Sequence, residues 1–200
     1  MKQILKASFI LALFLTVSSC IQMLSEAADN VTSGGSESLS ESAYQTITID
    51  SLYQLDVPKY MKNMPSLHPE ASLEYANIYK EAYSVVIHEN KQEFIDIFKE
   101  IEEYDNQLSP IENYVIVQKK MFEESIDNIK IQDYGLTMIN GLPARQIKAT
   151  GRVDSIDAFY VVGFVEGEEN IYMLMNWTLD DKKDKFENTF EYINGTFKVL

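Results

Sequence analysis

The sequence predicts an α+β fold, a central antiparallel β-sheet with flanking helices, from three observations. Apolar residues alternate with period two in several short segments. Other, longer segments carry them at helical spacing. The second half strings strand-like segments together through turn residues. Strands and helices in separate runs pack as a sheet covered by helices.

The elements follow in order. TITIDSLYQLDVP alternates through Ile47 and Ile49, slips, and continues through Leu52 and Leu55; it reads as a strand ended by Pro58. ASLEYANIY and EAYSVVIHE read as two more strands, broken near Lys80-Glu81, with Tyr83, Val85 and Ile87 on one face of the second. Asn90 is an N-cap candidate with Glu93 three residues on, and Phe94, Ile97, Phe98, Ile101 and Tyr104 then recur at helical spacing. Ser109-Pro110 opens a second helix with a stripe of Tyr114, Val117, Met121 and Phe122. KIQDYGLTMI is a strand ending at the turn dipeptide Asn140-Gly141. ARQIKATGRV, DAFYVVGFVEG and NIYMLMNWTL complete a four-strand meander, with turns in Gly151–Asp157 and Glu166–Asn170. The last segment is a helix capped by Asp180 or Asp181, striped by Phe186, Phe190 and Ile193, and ended by Gly195.

The N-terminus carries a different signal. Lys2 and Lys6 precede an uncharged run, Ala7 to Val17, of about eleven residues. That length suits a signal peptide and is too short to span a bilayer. Val17-Ser18-Ser19-Cys20 then resembles a bacterial lipobox, in which the thiol is acylated and the chain is cut before it. Cys20 is the single cysteine, so an intramolecular disulfide is excluded and the domain must stand on its apolar core. Residues 21–45 are rich in Ser, Glu and Gly and lack aliphatic periodicity. The expected organisation is a signal peptide at 1–19, a lipidated cysteine and contact-free tether at 20–45, and one domain at 46–200.

Seventeen Lys and Arg stand against 31 Asp and Glu. Removing residues 1–19 takes away Lys2 and Lys6 and no acid, moving the net charge from −14 to −16. Such a surface argues against nucleic acid and against electrostatic docking on anionic lipid.

The residues of the second half resemble a known superfamily. Asn140-Gly141-Leu142-Pro143-Ala144 entering a strand, Glu166-Gly167 in a turn between two long strands, Trp177-Thr178-Leu179, and Thr196-Phe197 after the last helix are similar in order and spacing to the PsbP/Mog1-like proteins. The resemblance covers 46–200 and is strongest over 135–200. It implies an α/β/α sandwich. Members include a photosystem II subunit, a Ran-binding import factor and bacterial lipoproteins, so it implies no shared ligand, and no site residue carries over.

The chemistry-bearing residues are few. There is no G-x-S-x-G, H-E-x-x-H, P-loop or C-x-x-C motif. His68 lies in a loop and His88 ends a strand beside Glu89; they read as surface histidines at element ends, since a metal site needs both to converge with a carboxylate. Glu166, Glu168 and Glu169 form a hairpin tip, and Asp180, Asp181 and Asp184 suit a helix N-terminus, without the spacing of a calcium loop. Tyr75, Tyr79, Tyr83, Phe159, Tyr160, Phe164, Tyr172 and Trp177 lie on strands. Core packing explains them, although Phe159 and Tyr160 face opposite ways and one aromatic sheet face could be left open as a binding surface. Asn30, Asn176 and Asn194 match the N-glycosylation pattern, and Asp50-Ser51-Leu52 and Asp154-Ser155-Ile156 resemble a short O-glycosylation motif of exported bacterial proteins.

The expectation is therefore a cell-envelope lipoprotein, anchored outside the cytoplasm through acylated Cys20. It acts as a non-catalytic binding or assembly module for an unidentified envelope protein or ligand, with no catalytic, cofactor or metal residues. A second reading is a small-molecule or metal-binding lipoprotein with a pocket between sheet and helices. A third is an enzyme.

Overall fold

The structure is a computed structural model and describes residues 36–37 and 39–200. Cys20, Asn30 and the expected signal peptide lie outside these residues.

Tyr44–Ile49 (β1) and Tyr53–Pro58 (β2) form a hairpin. The segment expected as one slipped strand is thus two. The slip is a turn at Asp50-Ser51, both at positive φ (44° and 57°), closed by the Leu52 amide donating to the Ile49 carbonyl at 2.8 Å. Without glycine the turn carries no strong signature, although Asp tolerates the left-handed region.

Lys62–Asn63 (β3), Ala71–Asn77 (β4) and Ala82–Asn90 (β5) follow, with β4 and β5 joined at Ile78–Glu81. The helix Lys91–Glu100 (α1) is capped as expected: the Asn90 side chain accepts from the Glu93 amide at 2.9 Å. Pro110–Ser125 (α2) opens with a capping box, in which the Glu112 carboxylate accepts from the Ser109 amide (3.0 Å) and hydroxyl (2.6 Å).

The segment 130–139 is not one strand. Asp127–Asp133 (β6) and Met138–Ile139 (β7) are separated at Tyr134–Thr137, and both pair with Leu142–Val153 (β8). Asn140-Gly141 makes the expected two-residue turn, with both φ positive. Ile156–Glu166 (β9) and Asn170–Leu179 (β10) complete the meander. A 3-10 turn, Asp180–Lys182, leads into Lys183–Thr196 (α3), so neither Asp180 nor Asp181 is the helix cap. Nor does Gly195 end it: the helix runs to Thr196, whose hydroxyl donates to the Ile193 carbonyl at 2.8 Å. Lys198–Val199 (β11), too short to read in advance, then pairs with β2.

The main sheet is antiparallel throughout, in the order β3-β4-β5-β10-β9-β8-β6, with β7 also on β8; β1-β2-β11 form a second sheet. Strand alternation divides the core in two. Tyr83, Val85, Ile87, Tyr160, Val162, Phe164, Met173, Met175 and Trp177 face α1 and α2, meeting Phe94, Phe98, Tyr114 and Phe122. Val86, Phe159, Val161, Val165, Tyr172 and Leu174 face α3 and the small sheet, meeting Phe186, Phe190, Ile193, Phe197, Tyr53 and Leu55. Both faces are therefore covered, and Phe159 and Tyr160 are each buried on their own side. No strand face presents an open aromatic surface among the described residues. The expectation of core packing holds, because covering both faces of a long apolar meander removes far more area from water than covering one.

The domain also begins earlier than residue 46. β1 starts at Tyr44, which is buried, and Ser36, Glu37, Leu39, Ser42 and Ala43 touch the body of the protein. The Glu37 amide donates to the Lys185 carbonyl at 2.8 Å, and Leu39 packs against the second core. The expectation of a contact-free stretch up to residue 45 fails at Ser36, Glu37, Leu39 and from Ser42 onward.

Candidate functional site

Three polar clusters survive the packing of the two cores. The first lies on the outer half of the main sheet, where alternation turns Ser72 of β4 and His88 of β5 toward the small sheet. Ser72 Oγ stands 2.7 Å from Tyr53 Oη and 3.1 Å from His88 Nδ1, and donates to the Val86 carbonyl at 3.1 Å. A serine has one proton. Given to Val86, it leaves Ser72 as the acceptor from Tyr53. Burial raises the Tyr53 hydroxyl well above its ordinary value, so it stays a donor. His88 is further packed against the rings of Tyr53 and Tyr172, at 6.5 and 6.0 Å, which themselves lie 5.6 Å apart.

The second cluster is acidic and caps the end of the main sheet where β5 ends and β10 begins. Tyr114 of α2 donates to Glu89 at 2.6 Å; burial raises the Glu89 carboxyl above its ordinary value, with the tyrosine hydrogen bond opposing and Glu70 and Glu93 adding to the rise. Glu166 turns inward, accepting from Lys91 Nζ (3.3 Å) and from the Ile111 amide (3.1 Å) in the first turn of α2. Glu168 and Glu169 stay exposed at the hairpin tip. Glu112 is held down to about 2 by the Ser109 hydroxyl and amide and by Arg145, whose guanidinium lies 3.0 Å away.

The third cluster is fully buried. Asn176 Nδ2 of β10 donates to Asn194 Oδ1 of α3 at 2.8 Å, and Asn194 Nδ2 donates to Gln146 Oε1 of β8 at 2.9 Å. The chain of amides crosses β9 at Gly163, where a Cβ would sit 3.1 Å from the Asn194 side chain. Beside it Lys148 meets Glu187 and Glu191 at 2.5 Å each and lies 3.7 Å from the centre of the Tyr134 ring. Burial lowers the Lys148 ammonium pKa, but the two carboxylates outweigh it and the net shift is upward. This seam fixes α3 on the sheet.

The remaining expected residues fall as follows. His68 is buried, not at the surface: its amide donates to Glu74 at 2.8 Å and its Nδ1 accepts from the Glu70 amide at 3.2 Å. His68 and His88 are not brought together on a carboxylate: no group of three or more His, Cys, Asp or Glu among the described residues could hold a metal ion. Asp181 and Asp184 are exposed, while Asp180 lies near Lys183. Asn176 and Asn194 are 0% exposed, so their glycosylation pattern is coincidental with a buried structural role. Asp50-Ser51 and Asp154-Ser155 occupy hairpin turns at positive φ, a backbone reason for those residues. Asparagine within the apolar run YMLMNWTL was the available signal for the buried network; nothing local pointed to Ser72.

No protein-family model and no curated protein sequence matches the chain. Solved structures do. The cyanobacterial PsbP of Synechocystis sp. PCC 6803 covers 84% of this chain and 98% of its own, at 11% identity and a TM-score of 0.51. The chain has a PsbP/Mog1-like fold. Two others are more distant in shape. A Pseudomonas aeruginosa protein of unknown function matches at 16% identity, 76% and 94% coverage, and TM-score 0.48. LpqN, involved in cell envelope biogenesis of Mycobacterium tuberculosis, matches at 12% identity, 74% and 83% coverage, and TM-score 0.46. At such identities the likeness to the PsbP-like structure concerns the fold alone.

Proposed function

We propose that the chain is a membrane-anchored lipoprotein of the bacterial envelope, acting through this PsbP-like domain as a non-catalytic binding or assembly module. The observation that carries the anchor is the sequence Val17-Ser18-Ser19-Cys20 behind a short apolar run. Among the described residues no helix is long and apolar enough to cross a membrane, so in this reading the acyl chains on Cys20 hold the protein to the bilayer. Support for a non-catalytic role comes from the filling of both sheet–helix interfaces by aromatic and aliphatic side chains. The partner is an unidentified envelope protein or ligand and not nucleic acid, given the net charge of −14. The exposed acids at the β9–β10 tip are the surface on which a basic partner would dock.

Metabolic labelling with a fatty-acid analogue tests the anchor: wild type takes the label and Cys20→Ser does not, and equal labelling removes the claim. Affinity capture of the intact lipoprotein from its own membranes tests the binding role. A partner lost on Glu168→Lys/Glu169→Lys supports the acidic tip.

A further inference from the structure

Asp followed by Ser or Thr occurs twice in the chain, as Asp50-Ser51 and Asp154-Ser155, and each pair stands between aliphatic residues: Ile49 and Leu52, Val153 and Ile156. Both pairs sit at the tip of a hairpin, with the same backbone. Asp50 and Ser51 have φ of 44° and 57°, and Asp154 and Ser155 of 48° and 72°. The Leu52 amide closes the first turn on the Ile49 carbonyl, and Val153 pairs with Ile156 across the second.

At such tips the second position favours glycine, and Asn140-Gly141 follows that rule. Serine is held less easily at positive φ. Nothing in the fold offsets this. Asp50, Ser51, Asp154 and Ser155 are exposed, and none of their side chains has a hydrogen-bond or ion-pair partner among the described residues. Arg152, close to the second tip, is engaged by Asp157 at 2.8 and 2.9 Å instead. The hydroxyls of Ser36, Ser72 and Ser109, by contrast, are all engaged. Turn geometry accounts for a turn residue at each place. It does not account for the same Asp-Ser-aliphatic triplet at both tips with its polar side chains unused.

The two tips lie apart. Tyr53, beside the first, packs on Tyr172 at 5.6 Å, whereas Ala158, beyond the second, pairs with Leu179 at the other end of β10. The strand from Tyr172 to Leu179 is roughly 23 Å long at about 3.3 Å per residue. Each triplet is therefore presented to a modifying enzyme on its own, in the folded protein, and what happens at one does not depend on the other.

We propose that Ser51 and Ser155 are O-glycosylation sites, recognised by an envelope glycosyltransferase as an aspartate, a serine and an aliphatic residue on a hairpin tip. This rests on the reading of the chain as exported. An exposed tip has room for a bulky, hydrated group. The donor is a sugar whose anomeric carbon is bonded to a phosphate. Serine Oγ attacks that carbon, and the new carbon–Oγ bond forms as the carbon–oxygen bond to phosphate breaks. The phosphate leaves with the bonding pair, and the hydroxyl proton passes to a base of the transferase. The aspartate carboxylate is a recognition group and takes no part in the bond changes.

Peptide masses of the protein purified from its own cells test this. One form is the full chain. A second has residues 1–19 exchanged for a conventional cleavable export signal and carries Cys20→Ser, so its export does not depend on the lipobox; loss of that signal, seen at the new N-terminus, marks the exported molecules. In both forms the peptides holding Ser51 and Ser155 should be heavier by the same glycan mass. The peptide holding Ser66, an exposed serine at φ 83° that follows Pro65, should not. Ser51→Ala and Ser155→Ala should each remove one glycan and leave the other. Asp50→Asn and Asp154→Asn keep a residue that tolerates positive φ, so loss of the glycan there belongs to the missing carboxylate. Bare peptides in the exported second form overturn the proposal, tip by tip, whatever the state of Cys20. Glycan that survives replacement of its serine overturns it as well, and glycan retained on the asparagine variants overturns the role of the aspartate. Glycan on the second form with no lipid on Cys20 of the full chain supports the proposal and overturns the anchor alone.

Discussion

Glu37 accepts a 2.7 Å hydrogen bond from Tyr60, a residue 23 positions along the chain, and so ties the entering segment to the body of the domain. The carboxylate is nearly buried, with 10% of its side chain exposed, and it also serves Thr189 and Lys80. Burial raises the Tyr60 hydroxyl far above its ordinary value, and the neighbouring carboxylate adds to the rise, so Tyr60 remains the donor.

Removing the carboxylate leaves those donors unmatched. Glu37→Ala should destabilise the domain by about 1–3 kcal/mol, and Glu37→Gln by less because its carbonyl still accepts. A chain beginning at Tyr44 should lose a similar amount relative to one beginning at Ser36. Chemical denaturation reads both. Equal midpoints for the two truncated chains would show that residues 36–43 add nothing.

The Asn176–Asn194–Gln146 chain invites a mutant cycle. Gly163→Ala places a Cβ against an Asn194 side chain that two partners hold still, and should cost about 1–3 kcal/mol. Asn194→Ala strands buried amide groups on Asn176 and Gln146 and should cost a comparable amount. The two should not add, because Asn194→Ala removes the atoms that the new methyl meets. Additive losses in thermal or denaturant unfolding would mean that Gly163 is required for another reason.

Much of the fold was legible in the sequence because its signals are local. Asn90 with Glu93, and Ser109-Pro110, mark helix starts within four residues. Asn140-Gly141 marks a turn by itself. The β1–β2 hairpin was read as one strand because Asp50-Ser51 adopts its positive φ without glycine. The polar clusters were not legible for a different reason. Ser72 meets His88, Glu37 meets Thr189, and Asn194 meets Gln146 only after distant strands are paired. Composition marked residues 21–45 as a tether. It could not weigh one carboxylate whose partners lie at 60, 80 and 189.

Glu89 gives a pH signature of known sign. Its folded-state pKa is raised, first by burial, so between the ordinary carboxyl range near 4.5 and the raised value the folded protein binds more protons than the unfolded one. This group therefore lowers stability as pH rises through that window. Glu89→Gln keeps an acceptor for Tyr114 and carries no charge. It should melt at a higher temperature than wild type at neutral pH, with the gap closing as pH falls below about 4.5. A pH-independent difference would place the effect in packing.

Glu112 has the opposite sign. Its carboxyl is held down to about 2, first by the Ser109 hydroxyl and then by the Ser109 amide and Arg145. Its contribution is complete above the ordinary range and lost as pH falls from about 4.5 toward 2. Glu112→Gln should therefore differ from wild type most at neutral pH and least in acid. The group is exposed, so the effect should be small and weakened by salt. A difference that grew on acidification would reverse the assignment.

The helix α3 decides whether the second face of the sheet is closed by the chain itself. Phe186, Phe190 and Ile193 share one face of it and are 0% exposed, and Phe197 follows them into the same core. Phe186 and Phe190 stack at 5.9 Å in the same core as Phe159, Val161 and Leu174. An amphipathic helix with such a stripe could instead have been a docking surface for another protein; its burial here assigns the stripe to the core. Phe190→Ala should then cost about 3–5 kcal/mol, since a cavity left under a helix pinned by Asn194 and Lys148 cannot collapse. Chemical denaturation measures the loss directly. A change within about 1 kcal/mol of wild type would mean that α3 leaves the sheet readily, and its apolar face would become the first place to look for a partner.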